Sequence, residues 1–173
     1  CTMCISSRIN ILNFKLSKSN KRNLKKNSDL VLKKRLKKLD KERYLLFKEY
    51  CDIRHSDSQM KDMKEADFEN FLYNSKNKNV VFDLIDEKSS LFGSILVDVL
   101  NDGFSAVYSF YRPNQQKRGL GKNLILSLIQ ELEKIKLPFL YLGYWIEGCN
   151  KMNYKSLYNG IEFYQNGNWL PKL

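Results

Sequence analysis

Apolar residues follow a helical period in two segments of this chain. In each segment they recur every three or four positions, which places them on one face of a helix. The residues are Tyr44, Phe47, Tyr50 and Cys51 in the first segment and Phe68, Phe71 and Leu72 in the second. Asp40 stands where a carboxylate can cap the first helix. The pattern therefore predicts two helices in this part of the chain.

The period then changes to two, which is typical of strands. Residues 79–86, 91–100 and 104–111 are mostly apolar or alternate between apolar and polar. Residues 101–103, Asn-Asp-Gly, are a hairpin signal between the second and third of these segments. We expect three antiparallel strands here.

Helical spacing returns over residues 120–135, and a last long apolar run covers residues 139–146. A strand–helix–strand crossover would make residues 139–146 parallel to residues 104–111 if both belong to one sheet. Asn166-Gly167 predicts a further hairpin turn near the C-terminus.

This order of elements resembles that of the GNAT acyltransferases. We therefore predict an α/β fold of the α+β kind, with a mixed sheet flanked by helices. The loop Gln116–Gly121 strengthens the resemblance, because it fits the pattern Q/R-x-x-G-x-G/A of that fold. Glycines let backbone N–H groups approach an anion, and a helix N-terminus adds positive potential. We predict a phosphate site made by Gln116, Arg118, Gly119, Gly121 and Lys122; a glycine-rich helix start without a ligand is the alternative.

Positive charge is concentrated near the N-terminus. Between Lys15 and Arg43 there are 13 Lys and Arg side chains against three acidic ones, whereas the rest of the chain holds 17 basic and 16 acidic residues. Such a block is typical of a surface that binds a polyanion. We predict a basic arm over residues 1–38, in which Lys33, Lys34 and Arg35 bind nucleic-acid phosphates, and a compact domain over residues 39–173. A lysine-rich solvated face is the alternative.

The length of 173 residues suits one domain with a real core plus an appendage. No apolar run approaches the roughly 20 residues needed to cross a bilayer, and we expect a cytoplasmic monomer. Four cysteines are too few for a disulfide scaffold and favour a reducing compartment. Cys1-x-x-Cys4 looks like half of a Zn or iron–sulfur site, with ordinary reduced thiols as the alternative. Because the chain does not begin with Met, we read it as a fragment of a longer protein.

The segment Tyr141–Lys155, reading Y-L-G-Y-W-I-E-G-C-N-K-M-N-Y-K, carries the richest mixture of reactive groups. It resembles the C-terminal signature of the aminoacyl-tRNA–protein transferases. Four further blocks resemble that family in the same order: C-x-x-C-I-x-x-R-I from Cys1 and the basic stretch Phe14–Arg22, then R-H-x-x-x-x-M-x-x-M-x-x-x-x-F-x-x-F-L from Arg54 and D-V-L-N-D-G-F-S-A-V-Y from Asp98. The Tyr144-Trp145 and Gly148-Cys149 pairs look more like the bacterial leucyl-transferring branch than the arginyl-transferring one.

The resemblance implies that residues 39–173 form a transferase domain acting on aminoacyl-tRNA and on a protein with N-terminal Asp or Glu. Leucine, or alternatively arginine, would be transferred, which marks the acceptor for N-degron degradation. The aminoacyl ester is already activated, so transfer needs no cofactor. The family's N-terminal part, absent here, supplies further cysteines that would complete a Zn or iron–sulfur site with Cys1 and Cys4. A CoA-dependent GNAT N-acetyltransferase is the runner-up, and a non-catalytic RNA-binding module is the third possibility.

Candidate catalytic residues follow from this chemistry. His55 is the only histidine, and histidine is the residue type that serves as a base near neutrality; packing at a helix end is its alternative role. Tyr144 and Tyr154 can donate to an oxyanion or relay a proton, unless they only pack. Lys151 and Lys155 are four residues apart and would bind the acceptor's carboxylate or a tRNA phosphate, with an ordinary surface role as the alternative.

Overall fold

The computed structural model describes residues 3–35, 41–55 and 59–172. Its helices are α1 (Lys18–Lys26), α2 (Lys41–Arg54), α3 (Glu65–Tyr73) and α4 (Leu120–Ile135). Its strands are β1 (Ile5–Asn10), β2 (Val31–Arg35), β3 (Asn79–Ile85), β4 (Leu91–Val99), β5 (Gly103–Tyr111), β6 (Phe139–Trp145), β7 (Ile161–Gln165) and β8 (Asn168–Pro171). Along the described segments, no helix is both long and apolar enough to cross a membrane.

One mixed sheet contains all eight of these strands, in the spatial order β2-β3-β4-β5-β6-β1-β7-β8. Each neighbouring pair is antiparallel except β5 and β6, which run parallel as the crossover through α4 requires. The predicted α+β arrangement of a mixed sheet flanked by helices is therefore confirmed, including the predicted hairpin between β7 and β8.

The basic N-terminal arm is not confirmed, because residues 5–35 are built into the fold. Strand β1 lies between β6 and β7, and its Ile9 is fully buried. Strand β2 pairs with β3 at the sheet edge, and α1 packs on α4. Cys1 and Asp40, predicted to bind a metal and to cap a helix, lie outside the described residues.

Apolar side chains form two cores, one on each face of the sheet. Alternate residues of a strand point to opposite faces, and Phe82 packs with α4 while Val81 packs with α2 and α3. Leu124, Leu128 and Leu132, at helical spacing on α4, are completely buried. The helices are thereby held on the two faces of the sheet, and the C-terminal end of α2 and the start of α4 border the site described below.

A buried ion pair ties α2 to β3. Arg43 and Asp83 are 2% and 1% exposed, and Arg43 Nη2 donates to Asp83 Oδ2 across 2.8 Å. Ser94 Oγ and Arg35 Nε donate to the same carboxylate at 2.6 and 3.0 Å. Because a buried charge left without its partner is strongly destabilising, this network holds α2 in one position on the sheet.

Strands β5 and β6 separate soon after they begin. They pair only where Gly103–Ser105 meets Phe139–Tyr141. Beyond that point β6 continues with β1, through an irregularity between Ser7 and Arg8 and a left-handed Gly143 at φ +72°. The divergence leaves a gap between the C-terminal halves of two parallel strands, which is where open α/β sheets place ligands.

Candidate active site

Two adjacent cavities lie at the gap between β5 and β6. The larger one, which we call the outer cavity, has a volume of about 480 Å³ and is bordered by the C-terminal end of α2, the start of α4 and the turn Asn153–Leu157. The smaller one, which we call the inner cavity, has a volume of about 210 Å³ and lies against Ala106–Ser109 of β5 and Leu142 of β6. Five residues line both: Tyr50, His55, Ser109, Ile125 and Tyr154.

The cavities are rich in basic side chains and tyrosines. Arg54, His55, Lys122 and Lys151 line the outer cavity, and Lys155 lines the inner one. Within the described part of the chain, no Asp or Glu lines either cavity. Such a lining favours an anionic ligand over a cationic one.

Lys155 differs from the other basic side chains that line the cavities because it is buried and is held by a backbone carbonyl. It is only 9% exposed, and its Nζ donates to the carbonyl oxygen of Tyr144 across 2.5 Å. None of the carboxylates that the structure describes lies within ion-pair distance of it. Burial lowers the pKa of Lys155, and the charge of nearby Cys149 acts in the opposite direction. An ammonium held this way retains donors for a ligand carboxylate.

Tyr154 and Tyr144 occupy different places although the sequence predicts one role for both. Tyr154 lines both cavities although 48% of it is exposed, and partial loss of water raises its pKa, with a smaller contribution from Tyr111. Tyr154 is therefore a neutral O–H donor at physiological pH. Tyr144 is 59% exposed and lines neither cavity, and its backbone carbonyl, not its phenol, contributes by holding Lys155.

His55 follows the last residue of α2. Its backbone N–H donates to the backbone carbonyl of Cys51 at 2.8 Å. Its ring centre lies 5.4 Å from that of Tyr50, and it lines both cavities. The structure thus brings His55, Tyr154, Lys151 and Lys155 around one space, from two segments about 100 residues apart.

The predicted phosphate loop leads into α4. Gly119 adopts φ +61°, and a Cβ there would lie 2.9 Å from Asn23 Nδ2. Helix α1 covers the loop's carbonyls, because Asn23 Nδ2 donates to the oxygens of Arg118 and Gly119 at 3.1 and 3.0 Å. A Cβ on Gly121 would lie 2.8 Å from the Tyr111 ring, so this glycine lets α4 approach β5 closely.

A basic groove of about 660 Å³ runs between α1 and this loop. We call it the α1 groove; its polar lining is Ser19, Arg22, Asn23, Lys25, Lys26, Gln116, Lys117, Arg118 and Lys122. Lys122 lines both the α1 groove and the outer cavity, and its Nζ donates to Ser19 Oγ at 3.0 Å. Burial, and then the charge of Arg22, lowers the pKa of Lys122.

Other cations predicted to bind phosphate are engaged elsewhere or lie outside this groove. Arg118 donates to Asn27 Oδ1 at 2.8 Å, pairs with the Asp29 carboxylate, and lies over the Phe92 ring. Lys33, Lys34 and Arg35 lie on the edge strand β2 and do not line the groove. Their role in phosphate binding stays a prediction.

Sequence reasoning missed several lining residues, chiefly Asn20, Tyr50, Arg54 and Tyr111. Ser17 accepts a hydrogen bond from the Asn20 backbone N–H at 3.2 Å and could have indicated the start of α1, but not that Asn20 lines the site. The others line the site only because α2 and β5 converge there.

The predicted metal half-site cannot be built from the residues seen here. Cys1 is outside the described residues, and Cys4 is an exposed free thiol. Among residues 3–35, 41–55 and 59–172, no three His, Cys, Asp or Glu side chains are grouped to hold a metal. A site completed by a longer protein stays a prediction.

Two solved structures resemble this fold at low sequence identity. The structure of L-PGS from Bacillus licheniformis has a TM-score of 0.64 and 11% identity, with 98% of this chain and 62% of that chain covered. The C-terminal domain of a putative lysylphosphatidylglycerol synthetase from Agrobacterium fabrum has a TM-score of 0.62 and 9% identity, with 88% and 49% covered. At these identities the likeness shows the fold alone.

Sequence comparison reaches further. The family described as "Arginine-tRNA-protein transferase, C terminus" matches residues 42–165. The aspartate/glutamate leucyltransferase of Nitrosococcus oceani is 38% identical over 98% of this chain and 71% of that protein. The enzymes of the same name from Ruegeria pomeroyi and Alcanivorax borkumensis are 38% and 37% identical, again over 98% of this chain.

The chain spans 62% of the Ruegeria protein and 69% of the Alcanivorax protein. The family match covers both α2, which ends beside His55, and the turn that carries Tyr154 and Lys155. The resemblance predicted from the sequence is confirmed, and this chain belongs to the aminoacyl-tRNA–protein transferase family.

Proposed function

We propose that this chain transfers leucine from leucyl-tRNA to the α-amine of proteins that begin with Asp or Glu. The observation that carries the proposal is the cationic cleft between β5 and β6, with buried Lys155 on its floor and no described carboxylate in its lining. The names of the three relatives support the choice of leucine as donor group and of acidic acceptors.

The reaction replaces an ester by an amide. The neutral α-amine attacks the carbonyl carbon of the aminoacyl ester, a C–N bond forms, and the C–O bond to the tRNA ribose breaks. The amine loses a proton and the ribose oxygen gains one, so that no external reactant is needed. Since the ester is already activated, orienting amine and ester contributes most, up to roughly 7–11 kcal/mol.

Two side chains of the cleft fit the remaining steps. Tyr154, protonated because its pKa is raised, can donate to the oxyanion of the tetrahedral intermediate. His55 borders the same space and can accept the proton that the amine releases. Both roles need the substrate amine near the junction of the two cavities, which these residues share.

The acceptor's carboxylate is assigned to Lys155 and Lys151. Lys155 offers an ammonium that is poorly hydrated and lacks an anionic partner in the described structure, so a carboxylate gains more there than at an exposed lysine. Lys151 lines the outer cavity and can attract the same group as it enters.

The tRNA is assigned to the α1 groove. Arg22, Lys25 and Lys26 of α1 line it together with Lys117 of the loop and Lys122 of α4, and these charges suit a phosphate backbone. Lys122 extends the groove to the cleft, so the 3′ end can reach the catalytic residues. We place this reaction in the cytoplasm and in the marking of proteins for degradation.

A donor panel tests the proposal. The chain is incubated with a peptide that begins with Asp and with leucyl-tRNA, arginyl-tRNA or acetyl-CoA, and the product is identified by mass spectrometry. We expect an amide-linked leucine on the peptide N-terminus, without CoA or ATP. Acetylation would support the CoA-dependent N-acetyltransferase, and tRNA binding without any transfer would support the RNA-binding module.

A further inference from the structure

Asn20 is a buried polar side chain that the proposed reaction does not yet use. It is 2% exposed and lines the outer cavity, yet its Nδ2 meets no hydrogen-bond partner in the described residues. Asn79 and Trp145 also carry such atoms, but they line none of the cavities described above. An unsatisfied buried amide costs about 1–3 kcal/mol, so Asn20 is a strong candidate for a ligand contact.

The position of this amide is fixed by the packing of α1. Asn23 Nδ2 binds the carbonyls of Arg118 and Gly119, and Asn27 Nδ2 donates to Arg118 O at 2.9 Å. Lys122 Nζ binds Ser19, the residue next to Asn20. Because α1 is held at several points along its length, Asn20 is presented to the cavity by a rigid element, which favours selective recognition.

Asn20 also lies where the α1 groove meets the cleft. Ser19 lines the groove, Asn20 lines the outer cavity, and Lys122 lines both. A tRNA strand with its last phosphates in the groove would therefore bring its final nucleoside to Asn20 before the ester reaches Tyr154.

We propose that Asn20 recognises the terminal adenine of the donor tRNA, a role that rests on the proposed function. A carboxamide offers one donor and one acceptor in a plane, which matches the donor–acceptor edge of adenine. Unpaired bases at RNA ends are recognised by such edge contacts together with stacking on aromatic rings. Tyr111 and Tyr158 line the same cavity and supply the rings. An uncharged amide would contribute far less to selecting the acceptor's carboxylate.

Binding of uncharged tRNA, measured by fluorescence anisotropy, tests this recognition without relying on transfer. Two tRNAs are compared that differ only in a 3′-terminal adenosine or cytidine. The wild-type chain should bind the adenosine form tighter by about 5- to 150-fold, the discrimination of a good bidentate contact. Asn20→Ala should lose most of this ratio. Lys25→Ala, which removes a groove cation from the same helix, should weaken the binding of both tRNAs equally and leave the ratio of their affinities unchanged.

Equal binding of the two tRNAs by the wild-type chain would overturn the adenine site, and this arm needs no variant to fold. A ratio that survives in folded Asn20→Ala, verified by its thermal unfolding, would also overturn it. The proposed function fails separately: a chain that shows the Asn20-dependent ratio but transfers no leucine refutes the transferase proposal and retains the adenine site.

Discussion

Lys155 Nζ donates to the backbone carbonyl of Tyr144 across 2.5 Å. Tyr144 belongs to β6 beyond the point where that strand leaves β5, and Lys155 belongs to the turn Asn153–Leu157. The contact therefore joins the turn to the open end of the strand pair and fixes a buried ammonium on the floor of the cleft. This hydrogen bond connects the strand part and the turn part of the segment Tyr141–Lys155 through a backbone atom.

The burial of Lys155 has a consequence for stability. Its pKa is lowered from the ordinary value of 10.5 because the ammonium is buried. Between the lowered value and the ordinary one, the unfolded chain binds more protons at this group than the folded chain, so its contribution to the free energy of unfolding rises with pH. Below both values the full penalty of the buried charge remains.

Urea unfolding of wild type and Lys155→Met, from neutral pH up to the ordinary lysine pKa, measures this contribution. The difference in unfolding free energy should shift in favour of the wild type as pH rises from the lowered pKa of Lys155 towards the ordinary one. Lys151→Met removes a neighbouring exposed charge and should change the unfolding free energy by less than about 0.5 kcal/mol throughout. A difference between Lys155→Met and wild type that does not change with pH would contradict a buried, titrating Lys155.

Gly103, at the start of the β5–β6 pair, should not tolerate replacement by a residue with a side chain. A Cβ on Gly103 would lie 2.0 Å from the carbonyl oxygen of Phe139, a backbone atom that cannot move without breaking the strand pair. We expect Gly103→Ala to cost about 3 kcal/mol, the upper end for overpacking. Gly143→Ala is the control, because φ +72° strains the backbone but nothing lies within 4 Å, and about 1 kcal/mol should be lost. Equal losses in urea unfolding would contradict the close strand contact.

Elements with a strong local period could be predicted from sequence. The sequence predicts helix α4 because its apolar residues recur on one face of the helix. It predicts strands β3 to β5 because their residues are mostly apolar or alternate between apolar and polar. Strand β1 was missed, since its partners β6 and β7 are more than 100 residues away and few of its residues are apolar. Helix α1 was missed because the residues that it turns inward are largely polar, so that no apolar stripe marks the helix. Asn23 and the C-cap residue Asn27 hold it by hydrogen bonds to the loop before α4, and Asn20 is buried.

The residues of the candidate site also fall into those that the sequence could predict and those that it could not. His55, Tyr154 and Lys155 could be selected by chemistry and by family resemblance before any geometry was known. Asn20 and Tyr111 could not, since nothing local distinguishes a cavity-lining Asn or Tyr from a surface or core one. Their place depends on how α1 and β5 meet α4 in three dimensions.

The α1 groove should carry more of the tRNA affinity than strand β2. Arg22→Ala/Lys25→Ala removes two groove cations, and Lys33→Ala/Lys34→Ala removes two charges from β2 as the matched control. We expect the first pair to flatten the dependence of log affinity on log salt by about 1.4–1.8, the slope of two phosphate contacts. The β2 pair should change it much less. A larger change in this salt dependence for the β2 pair than for the groove pair would contradict the α1 groove and indicate that tRNA binds at the edge strand.

Tyr154 should matter through its hydroxyl. Tyr154→Phe keeps the ring in the cleft but removes the donor to the oxyanion, and kcat should fall by about 10²–10³-fold. Tyr144→Phe, on an exposed ring outside both cavities, should leave kcat nearly unchanged. Both are measured at saturating leucyl-tRNA and peptide. Similar kcat values for the two variants would remove Tyr154 from the chemistry.

The most direct measurement compares leucyl transfer to two peptides that differ only in N-terminal Asp or Asn, with wild type and Lys155→Met. Wild type should favour Asp in kcat/KM by about 10- to 150-fold, the range of a hydrogen bond to a charged group. In Lys155→Met, transfer to Asp should fall towards that to Asn, while transfer to Asn changes little. An unchanged Asp-to-Asn ratio in the variant, or no leucine transfer to either peptide by wild type, would contradict a cleft in which Lys155 selects the acidic N-terminus.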